Sequence, residues 1–141
     1  MQFPGALIER QLYEDCYFRV VADGLARVVR LVRSSAAFPT PEAAEKCLEA
    51  VAFSLITIRR GWVLIVDSRG APIRNDPAFE QVLARARHRI VGRFACAAIL
   101  VASDIGKLQV ARYGREDPKS PPVFRDEQEA LAYLAANRTS K

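Results

Sequence analysis

Four polar residues stand directly after apolar runs of the 141-residue chain, where a strand of an α/β protein would end. Asp67 and Ser68 follow the run WVLIV, and Ser103 and Asp104 follow the apolar run at residues 95–101. In open α/β sheets, ligands bind beyond the carboxyl ends of the strands, and two aspartates there can hold Mg²⁺ or accept a phosphoryl group. Each of these residues also suits a turn or a helix cap, and no lysine or third acid stands at a spacing that completes such a pocket. We therefore expect neither a metal site nor a phosphoaspartate.

The residues that most often activate a nucleophile or bind zinc are scarce. The one histidine, His88, falls on the polar face of a predicted helix, and the three cysteines, Cys16, Cys47 and Cys96, are widely spaced without a CxxC pair. These residues cannot complete an ordinary zinc site within one chain, and the thiols are expected to be reduced and mostly buried. Neither GxxxxGK[ST] nor GxGxxG is present, so no glycine loop is predicted to bind a nucleotide. The sequence predicts a protein that is not an enzyme and has no cofactor.

Positive charge is the remaining chemical feature of the sequence. The net charge is +5 and the pI is about 9.4, and such an excess can attract nucleic acid or an acidic partner. The arginines near the predicted second helix are Arg69, Arg74, Arg85, Arg87, Arg89 and Arg93. They spread around much of the polar face, and aromatic residues are not interleaved as a stacking surface requires. A solvated surface is the main expectation, and weak nucleic-acid binding is kept as a third alternative.

The composition is that of one ordinary globular domain. Half of the residues are hydrophobic and 26% are charged. No apolar run approaches the roughly 20 residues that a membrane-spanning helix needs, and the first residues lack the pattern of a signal peptide. We expect a cytoplasmic protein without a membrane partner, in which residues 1–10 form an arm, residues 11–137 one domain and residues 138–141 a tail.

The first half of the chain predicts a β-hairpin followed by a long helix. Two β-rich runs, residues 13–21 and 25–33, flank Asp23-Gly24, which would supply the positive φ angles of a tight turn. Thr40 followed by Pro41 is a good helix start, and the apolar spacing predicts that this helix continues to about Arg60.

The second half alternates strands with helices. WVLIV is typical of a central parallel strand, Asp76 is expected to cap a second helix, and residues 95–101 form a third apolar strand. A short helix after Ser103, an edge strand near Val123 and a last helix capped by Asp126 complete the order. The predicted fold class is α/β, with one open, mixed and mostly parallel sheet of about five strands and about four helices.

This element order, together with WVLIVDSRGAPIRNDPAFE, resembles the STAS and SpoIIAA-like families, small cytoplasmic domains of bacterial regulatory systems that include anti-sigma-factor antagonists. In the antagonists, a strand ending in Asp-Leu-Ser-Gly leads to Asp-Ser-Ser-Gly at the start of the next helix, where a partner kinase phosphorylates the first serine. The resemblance implies a protein-interaction domain. The SpoIIAA-like branch shares its fold with lipid-carrying SEC14 domains, so a small apolar or anionic ligand stays an alternative.

The resemblance assigns a switch-loop equivalent to this chain. Asp67, Ser68 and Gly70 match the strand-end pattern, and Asn75 and Asp76 occupy the start of the helix. Because Asp76 replaces the phosphorylatable serine, it is expected to act as a permanent helix cap that no serine kinase can switch.

Phe53 and Ile56 predict an interaction surface. The helical period places both on the first long helix, roughly 120–180° from its apolar stripe, with Arg60 among the charged residues around them. An apolar centre with a charged rim is typical of a modest protein interface, although scattered exposed apolar residues are also common. We expect this face to bind another chain, either a second copy in a homodimer or a regulatory partner.

Overall fold

The computed structural model describes residues 9–72, 76–103 and 121–138. Within these ranges the strands are β1 (Glu9–Glu14), β2 (Phe18–Asp23), β3 (Val28–Arg33), β4 (Val63–Asp67), β5 (Cys96–Leu100) and β6 (Val123–Phe124). The helices there are α1 (Pro41–Ser54), α2 (Pro77–Val91) and α3 (Glu127–Asn137).

The six strands form one sheet in the order in which they follow along the chain. β1, β2 and β3 pair antiparallel, whereas β3, β4, β5 and β6 pair parallel. The prediction of an α/β fold with one mixed, mostly parallel sheet is confirmed, and WVLIV supplies the central strand β4. The sheet has six strands where about five were predicted.

The extra strand arises because residues 13–21, predicted as one strand, contain a turn. The Asp15 carboxylate accepts hydrogen bonds from the backbone N–H groups of Tyr17 and Phe18, at 2.7 and 2.8 Å. A short acidic side chain that bonds the backbone two residues onward closes a turn inside an otherwise β-rich run. The first strand therefore includes Glu9 and Arg10, which were predicted to belong to an arm.

The turn between β2 and β3 also differs from the tight turn predicted for Asp23-Gly24. The Arg27 amide donates to the Asp23 carbonyl at 2.8 Å, and the Asp23 side chain accepts from the amides of Leu25 and Ala26. Among the described non-glycine residues, Arg27 alone has a positive φ, 58°. The loop is longer than a two-residue hairpin, so its left-handed residue lies at the loop's end and is not Gly24.

Helices cover the two faces of the sheet unequally. α1 and α2 pack on one face, where the buried set includes Val20, Val29, Val51, Leu64 and Phe79. α3 covers the other face over β4, β5 and β6, with Ile65, Leu100 and Leu134 in a second core. Among the described elements, α3 reaches only the edge of β3 on this face and no helix covers the same face of β1 and β2.

α1 is shorter than predicted, because it ends at Ser54 and not near Arg60. The Ser54 hydroxyl donates back to the Val51 carbonyl at 2.6 Å, and the β-branched residues Ile56, Thr57 and Ile58 follow. Both features disfavour continued helix. The chain instead passes through irregular turns to Gly61, whose φ of +91° suits a residue without a side chain.

Other predictions fall partly outside the described residues. Thr40, Asp76 and Asp126 cap the three helices as expected, each accepting from a backbone amide of the first turn. The short helix predicted after Ser103 and the residues beyond Arg138 lie outside the described ranges, so three helices are described where about four were predicted.

Candidate functional site

The candidate functional residues lie at the two opposite ends of the sheet. β3, β4 and β5 finish at one end, where Arg30, Asp67, Arg69 and Glu127 meet; these four residues are called the charged rim. The opposite end, where β3, β4 and β5 begin, is called the basal end. The rim contains Asp67, the first of the predicted switch-loop residues, and the basal end contains the predicted interface.

The charged rim is assembled by three elements. Asp67 is the last residue of β4 and lies on the α3 face of the sheet, and it is 8% exposed. Arg30 lies on the neighbouring strand β3, Arg69 follows β4 by two residues, and Glu127 is the first residue of α3. The parallel pairing of β3 with β4 and the packing of α3 thus bring four charges together.

The rim is a closed set of ion pairs. Arg69 holds Asp67 with two parallel bonds, Nε to Oδ1 at 2.9 Å and Nη2 to Oδ2 at 2.7 Å. Arg69 Nη2 also reaches Glu127 Oε1 at 3.2 Å, and Arg30 Nη2 donates to Glu127 Oε2 at 2.6 Å. Arg30 Nη1 lies 3.8 Å from Asp67 Oδ2. Two cations and two anions therefore neutralise one another.

Electrostatics favour the charged forms of Asp67 and Arg69. The hydrogen bond from Arg69 lowers the pKa of the Asp67 carboxyl below its ordinary value, and this outweighs the burial that raises it. The same contact raises the pKa of the Arg69 guanidinium. A carboxylate held in its charged form by arginine is poorly suited to act as a general acid or base at neutral pH. The geometry gives Asp67 a clear structural role in anchoring the loop after β4.

The switch-loop residues are held by backbone contacts. The Ser68 amide donates to the Leu100 carbonyl at 2.9 Å, and the Ser68 carbonyl accepts from Ala71 at 3.0 Å. A Cβ added at Gly70 would lie 3.3 Å from the Arg33 carbonyl, so this loop passes close to the end of β3. Asp76 Oδ1 accepts from the Ala78 amide at 3.1 Å. Asp67, Ser68 and Gly70 thus share one loop, whereas Asn75 and Asp104 lie outside the described residues.

Sequence reasoning did not assign Arg30 or Glu127 to a site, and it placed Arg69 only among the arginines near the second helix. Two signals were present: an arginine two residues after Asp67, and an arginine in the half-buried stretch of β3. Glu127 follows the predicted cap Asp126, where an acidic residue is expected only to interact favourably with the helix dipole. Without the strand order, none of these could be paired with another.

A second polar cluster joins the β1–β2 turn to α1. The Tyr13 hydroxyl and the Cys47 thiol both donate to Asp15 Oδ2, the thiol at 3.2 Å. Burial, and then Asp15, raises the pKa of the Cys47 thiol to about 12, so this thiol is unreactive at neutral pH. Burial by itself would raise the pKa of Asp15. The hydrogen bonds from Tyr13 and the backbone lower this pKa by more, so its net value lies below the ordinary one. This cluster stabilises the turn.

The remaining thiols and the histidine lie on separate elements, Cys16 in the β1–β2 turn, Cys96 on β5 and His88 on α2. Cys47 is buried and Cys96 is half-buried, as expected, but Cys16 is exposed in the β1–β2 turn. His88 is exposed on α2. Among the described residues, no three side chains of His, Cys, Asp or Glu are grouped so that they could hold a metal ion.

The basal end carries the exposed apolar side chains. Phe53 is 72% exposed on the last turn of α1, Ile56 is 54% exposed just after it, and Arg60 is exposed nearby in sequence. Ile56 therefore lies beyond the helix on which it was predicted. A third residue, Leu25, is 79% exposed in the β2–β3 turn and was not predicted to belong to this surface. Leu25 precedes Phe53 and Ile56 by about 30 residues in the sequence, so helical spacing could not group it with them.

Comparisons with known proteins give one structural match. No family model and no curated protein match the sequence. The structure is similar to the crystal structure of an uncharacterized protein of the DUF3478 family, with a SpoIIAA-like fold, from Shewanella loihica PV-4. The TM-score is 0.57 at 12% identity, and the match covers 86% of this chain and 97% of the other. The chain thus has a SpoIIAA-like fold, as the resemblance implied, and at this identity the likeness concerns the fold alone.

Within the described part of the chain, no helix has the length and apolar character that a membrane crossing requires.

Proposed function

We propose that this chain is a non-enzymatic protein-interaction domain of bacterial regulation or complex assembly, which binds its partner through the basal end. The observation that carries the proposal is the exposure of Phe53 and Ile56 in a chain whose other large apolar side chains, apart from Leu25, are buried or half-buried among the described residues. Large exposed apolar groups placed together are costly in a monomer and are typical of interaction sites.

The charged rim supports a structural role for the loop that corresponds to the switch loop. Asp67 and Ser68 are engaged by Arg69 and by β5, and Asp76 caps α2. A carboxylate already occupies the helix N-terminus, which in the antagonists receives the phosphoryl group. We propose that partner binding here is constitutive and is not switched by a serine kinase.

A pulldown from a lysate of the source cells tests the proposal. The double variant Phe53→Glu with Ile56→Lys should capture at least about tenfold less partner than the wild type, since charges replace the apolar centre. The matched control is Gln81→Glu with Ala84→Lys, which introduces the same charges at exposed positions of α2. Equal capture by all three proteins would exclude the basal end as the interface.

A second candidate function is the binding of a small ligand on the α3 side of β2 and β3. A cavity of about 320 Å³ lies there, with Val21, Val28 and Val32 and charged groups of both signs in its lining, Arg19 and Arg30 as well as Glu9 and Asp23. An apolar strip beside charges of both signs suits a small amphipathic ligand. Native mass spectrometry of gently purified protein should then show an added mass that Val28→Trp removes; wild-type protein of bare mass would argue against this candidate.

A further inference from the structure

The basal end is broader than the predicted pair Phe53 and Ile56. Leu25 projects from the turn that precedes β3, and Phe53 and Ile56 lie where the chain returns from α1 towards the start of β4. The Val63 amide donates to the Arg27 carbonyl at 3.2 Å, which fixes the turn beside the start of β4. Two separate segments therefore present apolar side chains at one end of the sheet.

Five arginines share this end, namely Arg27, Arg59, Arg60, Arg93 and Arg138. Two are held by backbone carbonyls, because Arg93 Nη2 donates to Leu55 O at 3.3 Å and Arg138 Nη2 donates to Arg27 O at 2.7 Å. Among the described residues, none of the five forms an ion pair with a carboxylate. Their charges are therefore not neutralised within the described part of the chain.

The carboxylates at this end are fewer. Asp23 Oδ1 accepts hydrogen bonds from the amides of Leu25 and Ala26, and Glu9 lies opposite Asp23 on β1. Glu49 precedes Phe53 by one helical turn. Three carboxylates do not offset five guanidiniums, so the basal end presents apolar groups within an excess of positive charge.

We propose that the partner seated on the basal end is a protein segment that combines apolar side chains with aspartates and glutamates. This inference rests on the function proposed above and specifies the chemistry of the partner. Arginine matches the carboxylate geometry with two parallel bonds, and all five cations here are arginines. Arginine and phenylalanine are also the residue types enriched in the centres of protein interfaces.

A second copy of the chain fits this surface poorly. A symmetric contact through the basal end would bring ten arginines together with only six carboxylates, and like charges that face each other across an interface are unfavourable. Charge complementarity therefore selects an acidic partner over a homodimer at this surface.

Site-specific cross-linking tests the inference. Phe53 is replaced by the photoreactive residue p-benzoylphenylalanine, and the protein is irradiated in nuclease-treated lysate of the source cells. Mass spectrometry should identify a cross-linked peptide from another protein that is rich in Asp and Glu. The captured amount should fall about tenfold or more between ~50 mM and ~500 mM salt, because exposed charges are screened.

Charge variants sharpen the result. In the photoreactive protein, Arg59→Glu with Arg60→Glu should reduce capture about tenfold or more, whereas the matched pair Arg85→Glu with Arg125→Glu, at exposed positions away from the basal end, should leave it unchanged within about twofold. If the first pair does not fold, Arg59→Gln with Arg60→Gln removes the charge without reversing it and carries the same expectation.

The outcomes separate the two proposals. If no protein is captured at low salt, the proposed function itself fails. If a protein is captured but capture is insensitive to salt and to the arginine variants, only the acidic partner is excluded.

A cross-linked peptide from this chain would assign the basal end to a second copy. Co-sedimentation with phosphatidylcholine–phosphatidylglycerol vesicles that Phe53→Glu abolishes would assign it to an anionic lipid surface. Either result overturns the inference.

Discussion

Arginine side chains at the charged rim and at the basal end have different partners. At the rim, Arg69 binds Asp67 at 2.7 and 2.9 Å, and Glu127 bridges Arg69 and Arg30. At the basal end, Arg59 and Arg60 have no ion pair among the described residues and lie near Phe53 and Ile56 in the chain. The same residue type thus neutralises charge at one end and presents it at the other.

This difference separates stability from binding. Charges that are paired within the domain are not available to bind a partner. Here they connect β3, β4 and α3. Unpaired charges beside exposed apolar groups contribute little to folding and are available to another molecule. The comparison predicts that substitutions at the rim lower stability and that substitutions at the basal end lower binding.

The largest effect on stability is expected from Asp67→Asn. This change keeps the shape of the side chain, but it removes the charge that holds Arg69 and Arg30 on a residue that is 8% exposed. Breaking a buried ion pair costs about 3–5 kcal/mol; because the arginines are about a third exposed or more, we expect about 1–3 kcal/mol. Urea unfolding measures it, and an unchanged midpoint would show that the rim does not stabilise the fold.

The pH dependence of stability should report the same contact. The folded-state pKa of Asp67 lies below its ordinary value of 3.8, so the folded protein binds fewer protons at this carboxyl than the unfolded chain does. The stabilisation is therefore fully present above about pH 5 and is lost as the pH falls through the folded pKa. Between pH 5 and 2, Asp67→Asn should lose less stability than the wild type; identical slopes would contradict this assignment.

A smaller loss is expected at the start of α2. Asp76→Ala removes the side chain that accepts from the Ala78 amide and should lower the free energy of unfolding by about 0.5–2 kcal/mol. Asp76→Ser keeps an acceptor at the same position and should restore most of the loss. If thermal unfolding shows equal midpoints for Asp76→Ala and the wild type, the cap does not contribute to stability.

The smallest effect on stability is expected at the basal end. Phe53→Glu with Ile56→Lys places charges where the side chains are 72% and 54% exposed, and the free energy of unfolding should change by less than about 0.5 kcal/mol per site. Circular dichroism during urea unfolding tests this. A large loss would mean that Phe53 and Ile56 support the core.

The sequence predicted the layers of the fold better than its turns. The apolar spacing of α2 and the continuous run of β4 depend on burial, and burial repeats with the period of the element. The β1–β2 turn depends on one carboxylate, Asp15, that bonds two amides inside a β-rich run. The end of α1 at Ser54 depends likewise on local hydrogen bonding and on β-branched residues. The apolar spacing of the helix carries no information about either.

The sites were predictable to the extent that their residues are neighbours in sequence. Phe53 was recognised from helical spacing, Ile56 from extending that spacing past the actual end of α1 at Ser54, and Asp76 from the residues around it. Leu25 and Glu127 reach their respective ends only through the strand order and the packing of α3. The charged rim and the full extent of the basal end are therefore properties of the tertiary structure.

The most direct test of the separation between the two ends measures stability and binding on the same three proteins. The partner captured by the wild type is purified, and its affinity is determined by calorimetry for the wild type, Asp67→Asn, and Phe53→Glu with Ile56→Lys. We expect the basal variant to lose about tenfold or more in affinity at unchanged stability, and the rim variant to lose stability while its affinity stays within about twofold. Lost affinity in Asp67→Asn together with full affinity in the basal variant would place the binding surface at the charged rim and contradict the account.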